Sequence, residues 1–400
     1  MTRVAAACVL CLAWGRGVVA GQLSSEPRSP QAVSPADLQS AIDNLGKLDY
    51  DIRTRASRVV RRWQASLAVP ALVDAAAKHA DGYVQYRALV LLTGFNDSRT
   101  TASMQAAMAS PNDRLRAVAY SFYEHNPDRR LGPRLLAALD RETGEFVRPS
   151  LVRALAALGS VADDARIRET LVREAGRGQD FFRSVAIEAL GDYKAQYAFD
   201  ALAGFVKVDG PLQGDTAIAL GKLGDKRALD ALAALQRTAP TSSQPYLAAA
   251  VCLLGVSCES QQKFLAETLR FSERNPGYQD SLRASAAALE QLAVAGPSFE
   301  RATADVLFDV GTSSGESTRA PVSLAVATIA LRRAPAMLSV LEARPDRKAA
   351  VALLAEGFDG LTEDYEKERF FAFVRHSYWE AAEGSPRRAL IQTLIEKLDF

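Results

Sequence analysis

Histidine and cysteine are scarce in this 400-residue chain, at three and four residues. The histidines, His79, His125 and His376, stand far apart. None opens a His-Glu pair and no two lie four residues apart, so neither a zincin-type site nor any other metal or cofactor is expected. Two cysteines, Cys8 and Cys11, fall near the start, and the remaining Cys252 and Cys258 are too few for a disulfide framework. That pair can bridge if a helix ends at Gly255 and the chain turns back; a free, buried Cys252 is the alternative. An excess of charge of one sign is also missing, since 48 basic residues meet 47 acidic ones. Such a chain has no global field to gather nucleic acid or an anionic membrane. Gly221-Lys222-Leu223-Gly224 lacks the glycine spacing of a phosphate-binding loop.

The start of the chain reads as a secretory signal over residues 1–20. Arg3 supplies the positive charge, Val4 to Trp14 the apolar stretch, and Val18-Val19-Ala20 the small residues before a cut. A stretch that short cannot span a bilayer core, which takes ~20 residues, so no integral membrane segment is expected in the mature chain. Residues 21–35 (GQLSSEPRSPQAVSP) are rich in proline and serine and read as a disordered linker. Cutting after residue 20 removes Arg3 and Arg16 and no acid, leaving 46 basic against 47 acidic residues. The expected location is periplasmic or secreted.

What the rest has in quantity is periodicity. Gly94, Gly159, Gly191, Gly224 and Gly255 each follow an apolar helical run at intervals of 65, 32, 33 and 31 residues, the first being two periods. Counting back from each, the fourth position reads Val90, Leu155, Ile187, Leu220 and Val251. The fifth reads Leu89, Ala154, Ala186, Ala219 and Ala250, and the residue just before the glycine is apolar or Thr93. These columns form one helix face. The alanines allow a neighbouring helix to approach closely, and the glycines suit helix C-termini, where a left-handed residue is wanted. Leu115, Val118, Ala119 and Phe122 make a degenerate copy with Tyr123 in the glycine place. Prolines 70, 111, 133 and 211 are expected at helix entries and turns. Each unit is thus a helical hairpin of roughly thirty-odd residues, which cannot bury its own apolar face and must stack on its neighbours.

Ala219 to Leu235 (ALGKLGDKRALDALAAL) and Ile187 to Asp192 (IEALGD) resemble the HEAT-like repeat named after phycobilin lyases. The resemblance covers residues 83–258, extends loosely over 36–82 and fades after 259. It implies an all-α fold, an α-solenoid of roughly ten or eleven hairpins, with an array over 36–258 and divergent repeats and a cap over 259–400. It specifies fold rather than function, because many unrelated proteins share it.

Chemistry is harder to find. Gly311-Thr312-Ser313-Ser314-Gly315 satisfies the nucleophile-elbow pattern, and Asp359 and His376 follow in hydrolase order. No parallel sheet is predicted beneath it, so the segment reads as a flexible loop between helices and no catalytic residue is assigned. Arg55, Arg58 and Arg62 form a basic stripe, read as the solvated face of a terminal cap. Tyr365, Phe370, Phe371, Phe373, Tyr378 and Trp379 crowd one C-terminal helix and read as packing under the last repeat. The expected function is extracytoplasmic binding or scaffolding of another protein or peptide on the concave face, which the second helix of each hairpin lines. Tyr120, Phe146, Arg153, Phe181 and Glu188 are the candidate binding residues there. An enzyme on the same scaffold, bilin-lyase-like or serine-hydrolase-like, is the alternative.

Overall fold

The computed structural model describes residues 35–296 and 300–400. The expected signal and all but the end of the expected linker lie outside the described residues. Within them the chain forms 22 α-helices and no strand. The first eight are α1 (Pro35–Asn44), α2 (Tyr50–Arg61), α3 (Ala65–Lys78), α4 (Gly82–Thr93), α5 (Arg99–Ala107), α6 (Asp113–His125), α7 (Gly132–Leu139) and α8 (Arg148–Val161). Next come α9 (Ala165–Gly176), α10 (Asp180–Asp192), α11 (Phe199–Phe205), α12 (Gln213–Leu223), α13 (Leu229–Thr238), α14 (Gln244–Leu253) and α15 (Cys258–Arg274). The last seven are α16 (Gln279–Ala295), α17 (Glu300–Ser313), α18 (Glu316–Arg332), α19 (Ala334–Ala343), α20 (Arg347–Gly360), α21 (Asp364–Glu380) and α22 (Pro386–Leu398).

The hairpins carry a punctuation mark that the glycine columns do not reveal. Asp97, Asp128, Asp164 and Asp225 each accept the backbone N–H of an arginine two residues on and pair with its guanidinium. The partners are Arg99, Arg130, Arg166 and Arg227, and each pair opens an outer helix or the single 3-10 turn before it. A carboxylate here satisfies one of the orphan N–H groups of a helix start. Asp81 and Asn112 do the same for α4 and α6.

From α4 to α20 the even-numbered helices form an inner layer and the odd-numbered ones an outer layer. Successive inner helices pack more closely than successive outer ones, which is what curves the stack. Alanines at the repeat positions permit this. A Cβ on Gly191 of α10 would lie 2.7 Å from Ala219 Cα of α12, and one on Gly221 would lie 2.8 Å from Ala250 Cα of α14. The glycines divide into two roles rather than the one expected. Gly224 and Gly255 are left-handed at φ +75° and +78°, as helix ends require. Gly159 and Gly191 instead lie inside α8 and α10, and Gly94 ends α4 at φ −71°. Pro70 likewise sits inside α3, not at its entry.

The buried side chains fall into two clusters. One runs from Leu38 to Leu254 and also takes in Tyr365; the other runs from Ile218 to Phe400. They share α12 and α14 as a common wall, to which Leu247 and Val251 contribute on one side and Ala248, Ala249 and Cys252 on the other. Cys252 forms a disulfide with Cys258, with Cα atoms 4.2 Å apart, so α14 is tied to the start of α15.

The two halves meet a second time, because α21 lies against α4 and α6. The expected terminal cap is therefore covered in part: Arg58 pairs with Asp399 at 2.7 Å, and Arg61 with Glu368 at 2.7 Å. Phe370 and Phe371 pack as expected, Phe371 stacked on Phe400 at 4.1 Å and Phe370 against Phe358 at 4.9 Å, whereas Tyr365 joins the N-terminal cluster instead. The Gly-Ser motif is not a loop. Its first three residues are the last turn of α17, where the Ser313 hydroxyl donates to the Asp309 carbonyl at 2.9 Å.

A candidate binding site on the inner face

Each inner helix from α6 to α12 brings one charged side chain to a common line. Glu124, Arg153, Asp192 and Lys222 alternate in sign across α6, α8, α10 and α12. Arg153 donates to Glu124 at 2.8 Å and to Asp192 at 3.0 Å, and Lys222 donates to the other Asp192 oxygen. The spacing follows from the repeat: residues 29, 39 and 30 apart fall on adjacent turns of stacked helices. Curvature then brings Arg332 of α18 across the interior, 3.8 Å from Glu124. Burial works against the charged forms here, but opposite partners prevail. The Lys222, Arg153 and Arg332 charges hold Asp192 far below the ordinary carboxylate range.

Two acids on this face have no such partner. Among the described residues, neither Glu188 of α10 nor Glu290 of α16 makes a salt bridge; Glu290 only accepts the Gln291 amide at 3.1 Å. Burial against the surrounding helices raises Glu188, helped by the neighbouring Asp215 charge. Burial pushes Glu290 up to about 8, despite the Lys222 and Arg332 charges. Asp215 of α12 is also raised by burial, although it accepts the Ser184 hydroxyl at 2.6 Å. A cleft of about 340 Å³ opens beside Asp215, lined by Gly214, Pro240, Ser242 and Tyr246 among others. Glu188 is nonetheless exposed to solvent and Glu290 half-buried, so both acids remain reachable from outside.

The five residues expected to form the binding surface separate accordingly. Arg153 and Glu188 lie on the inner face. Phe146 and Phe181 are 70% and 52% exposed, at the starts of α8 and α10, where they mark the rim. Tyr120 is a correction. It is only 1% exposed, and its hydroxyl donates to Glu142 at 3.3 Å, so it belongs to the core and cannot meet a partner. Its place on the helix made it look outward, but the next repeat covers it.

The fold also assembles what sequence spacing did not suggest. Glu124, His125 and Glu366 bring three ligand-type atoms within 4.8 Å of one another. His125 Nε2 is 2.6 Å from Glu366 and 2.9 Å from Arg369. This trio fits a metal ion poorly. Glu124 Oε1 already accepts from Arg153 and, at 3.0 Å, from the Tyr193 hydroxyl, and Glu366 accepts from Arg369 at 2.7 Å. Guanidinium groups take the lone pairs a cation would need. His376 pairs elsewhere, with Glu380 at 3.0 Å.

The described residues form an all-α solenoid of stacked helical hairpins. No family model matches the chain, and no curated protein matches its sequence. Among solved structures, an importin beta is similar over 90% of this chain and 59% of its own, at 14% identity and a TM-score of 0.40. Kap95p, in a structure described with RanGDP, matches at 13% identity and a TM-score of 0.38, over 91% of this chain and 57% of its own. A structure from work on cadherin and beta-catenin gives 14% identity and 0.28, over 92% and 85%. The chain thus spans about three-fifths of the importin beta it matches. Superpositions this loose carry nothing about partners or activity. No described helix is long and apolar enough to cross a membrane.

Proposed function

We propose that the protein is an exported, non-enzymatic binding or scaffold protein, and that it holds a segment of a partner protein on the inner face of its solenoid. The observation that carries this reading is the pair of acids without an ion pair, Glu188 and Glu290, beside a matched line of charges running from Glu124 to Lys222. Neither carboxylate is fully buried, but the surrounding helices strip each of part of its water and no ion pair repays that cost. A lysine or arginine side chain of a partner, entering beside them, supplies the missing charge. The exposed Phe146 and Phe181 at the rim give that partner apolar surface on the way in. The export reading rests on residues 1–20 and is supported by the Cys252–Cys258 disulfide, which suits an oxidising compartment.

The test is capture of partners from the extracytoplasmic fraction by the purified chain. Glu188→Gln with Glu290→Gln is expected to weaken capture, and Arg166→Ala with Arg173→Ala, on an outer helix, to leave it unchanged. If the outer pair abolishes capture and the inner pair does not, the binding face is misassigned. N-terminal sequencing should begin near Gly21; recovery of Met1 from the cytosol would remove the export reading. Two free thiols in protein prepared without reductant would speak against the oxidised compartment.

A further inference from the structure

The second meeting of the two halves differs in kind from the first. At α12 and α14 the halves share a continuous apolar wall. Where α21 returns to the first hairpins, the contact is almost wholly polar. Glu368 is gripped by Arg61 of α2, and Asp364 accepts the Tyr86 hydroxyl of α4 at 2.6 Å with Arg87 at 3.4 Å. Glu366 meets His125 of α6, and Arg375 donates to the Gly94 carbonyl at 3.4 Å. Tyr365 is the one α21 side chain in the N-terminal cluster; its ring stacks over His125 at 5.9 Å. The opposite face of α21, with Phe370 and Val374, belongs to the C-terminal cluster.

Along α21 the groove therefore reads a short pattern: carboxylates at 364, 366 and 368, with an aromatic at 365. On the groove side the readers are Arg61, Tyr86, Arg87 and His125, contributed by three separate helices. We infer that the face formed by α2, α4 and α6 is a docking groove for an acidic helix carrying an aromatic side chain. In the closed solenoid α21 occupies this groove in cis, as a stand-in for such a helix on a partner. Charge complementarity sets the chemistry of the occupant, and the lack of a shared apolar wall makes the occupant exchangeable. The inference rests on the binding-protein reading, but Arg61, Tyr86, Arg87 and His125 pair with α21 and not with Glu188 or Glu290.

The probe is a fluorescein-labelled synthetic peptide of residues 361–381, titrated by anisotropy into three forms of the full chain. These are wild type, the double variant Glu366→Gln with Glu368→Gln, and that double variant carrying also the groove substitutions Arg61→Ala with Arg87→Ala. In wild type the resident α21 competes, so apparent affinity falls in proportion to the fraction of open molecules. The acid-to-amide variant, which weakens the resident helix and leaves the groove intact, is expected to bind the peptide about tenfold or more tightly than wild type. Raising salt should weaken that binding severalfold. Adding the groove substitutions to the opened variant should abolish it. Self-association of the opened variant that the peptide reverses also supports the groove, since α21 of one copy then fills that of another. Failure of the peptide to bind the opened variant, or binding indifferent to Arg61 and Arg87, overturns the inference. Circular dichroism checks that each variant is folded; Asp364→Asn, at the more exposed end of α21, serves if the double variant is not. Partner capture through Glu188 and Glu290 is measured separately, so the two readings can fail independently.

Discussion

Replacing Glu290 by glutamine should make the protein more stable in mild alkali while changing little in mild acid. Burial lifts this carboxyl from an ordinary 4.5 to about 8. In the unfolded chain the group ionises near its ordinary value, and in the folded chain it keeps its proton until pH 8. Between those limits the folded state holds more protons than the unfolded one, so stability falls as pH rises through the window. At ~1.4 kcal/mol per pH decade the full loss is roughly 4–5 kcal/mol. Glu290 is only half-buried, so solvent screens part of this, leaving about 1–3 kcal/mol. Glutamine keeps the shape and hydrogen-bonding capacity of the neutral acid but cannot ionise. The assay is urea unfolding of wild type and Glu290→Gln at pH 5 and pH 9, followed by circular dichroism. The two should coincide within about 0.5 kcal/mol at pH 5 and separate by about 1–3 kcal/mol at pH 9, with the variant the more stable. Equal curves at pH 9, or a variant less stable at both pH values, would refute the claim that Glu290 has no ion-pair partner.

Glu366 should behave in the opposite sense: His125 and Arg369 overcome its burial and lower it to about 2. Its contribution, about 2–3 kcal/mol, is present above its ordinary pH range and is lost as pH falls from about 4.5 to 2; small-angle scattering should show the closed form loosening over that window, and an unchanged profile down to pH 2 would contradict it. Gly357→Ala should cost at least about 2 kcal/mol, because the new Cβ would lie 2.0 Å from the Ser323 carbonyl oxygen of α18; Gly144→Ala, with open space around it, is the control and should be neutral in thermal melts. Ser313→Ala should change stability by no more than about 0.5 kcal/mol, since its hydroxyl bonds only to carbonyls of its own helix; labelling of Ser313 by a serine-directed phosphonate would show the reading of that motif to be mistaken.

The hairpins and their stacking could be read from the sequence because they are local. Columns such as Leu155, Ile187 and Leu220 sit on one helix face whatever the rest of the chain does, and all three are buried. The alanine column forecast the close approach at Ala219 and Ala250 for the same reason. The Asp-x-Arg turns at 97, 128, 164 and 225 were equally local, and their recurrence is a signal that could have been used. Closure was not legible. Nothing in the spacing joins Glu366 to His125, 241 residues away, because the accumulated rotation of many hairpins decides which helices meet. Tyr120 was misplaced by a related error. Its helix position fixes a direction, but whether that direction ends in water depends on the neighbouring repeat. Glu188 was chosen for its face alone; that it lacks an ion-pair partner, and that Glu290 shares this, was not legible, because a glutamate on a helix looks the same whether or not a counter-charge faces it.

A ring with one oily joint and one salty joint answers to two different handles. Cooling weakens the association of apolar surfaces near and below room temperature, so cold acts on the wall shared by α12 and α14. Added electrolyte leaves that wall intact and acts on the charged contact of α21 with Arg61, Arg87 and His125, least on the buried Arg61–Glu368 pair. The Cys252–Cys258 clasp lies at the oily joint, next to the helix both clusters share, so oxidation reinforces the joint that cold would soften. On the inference drawn above, ionic strength rather than temperature is what would shift the ring toward an open form.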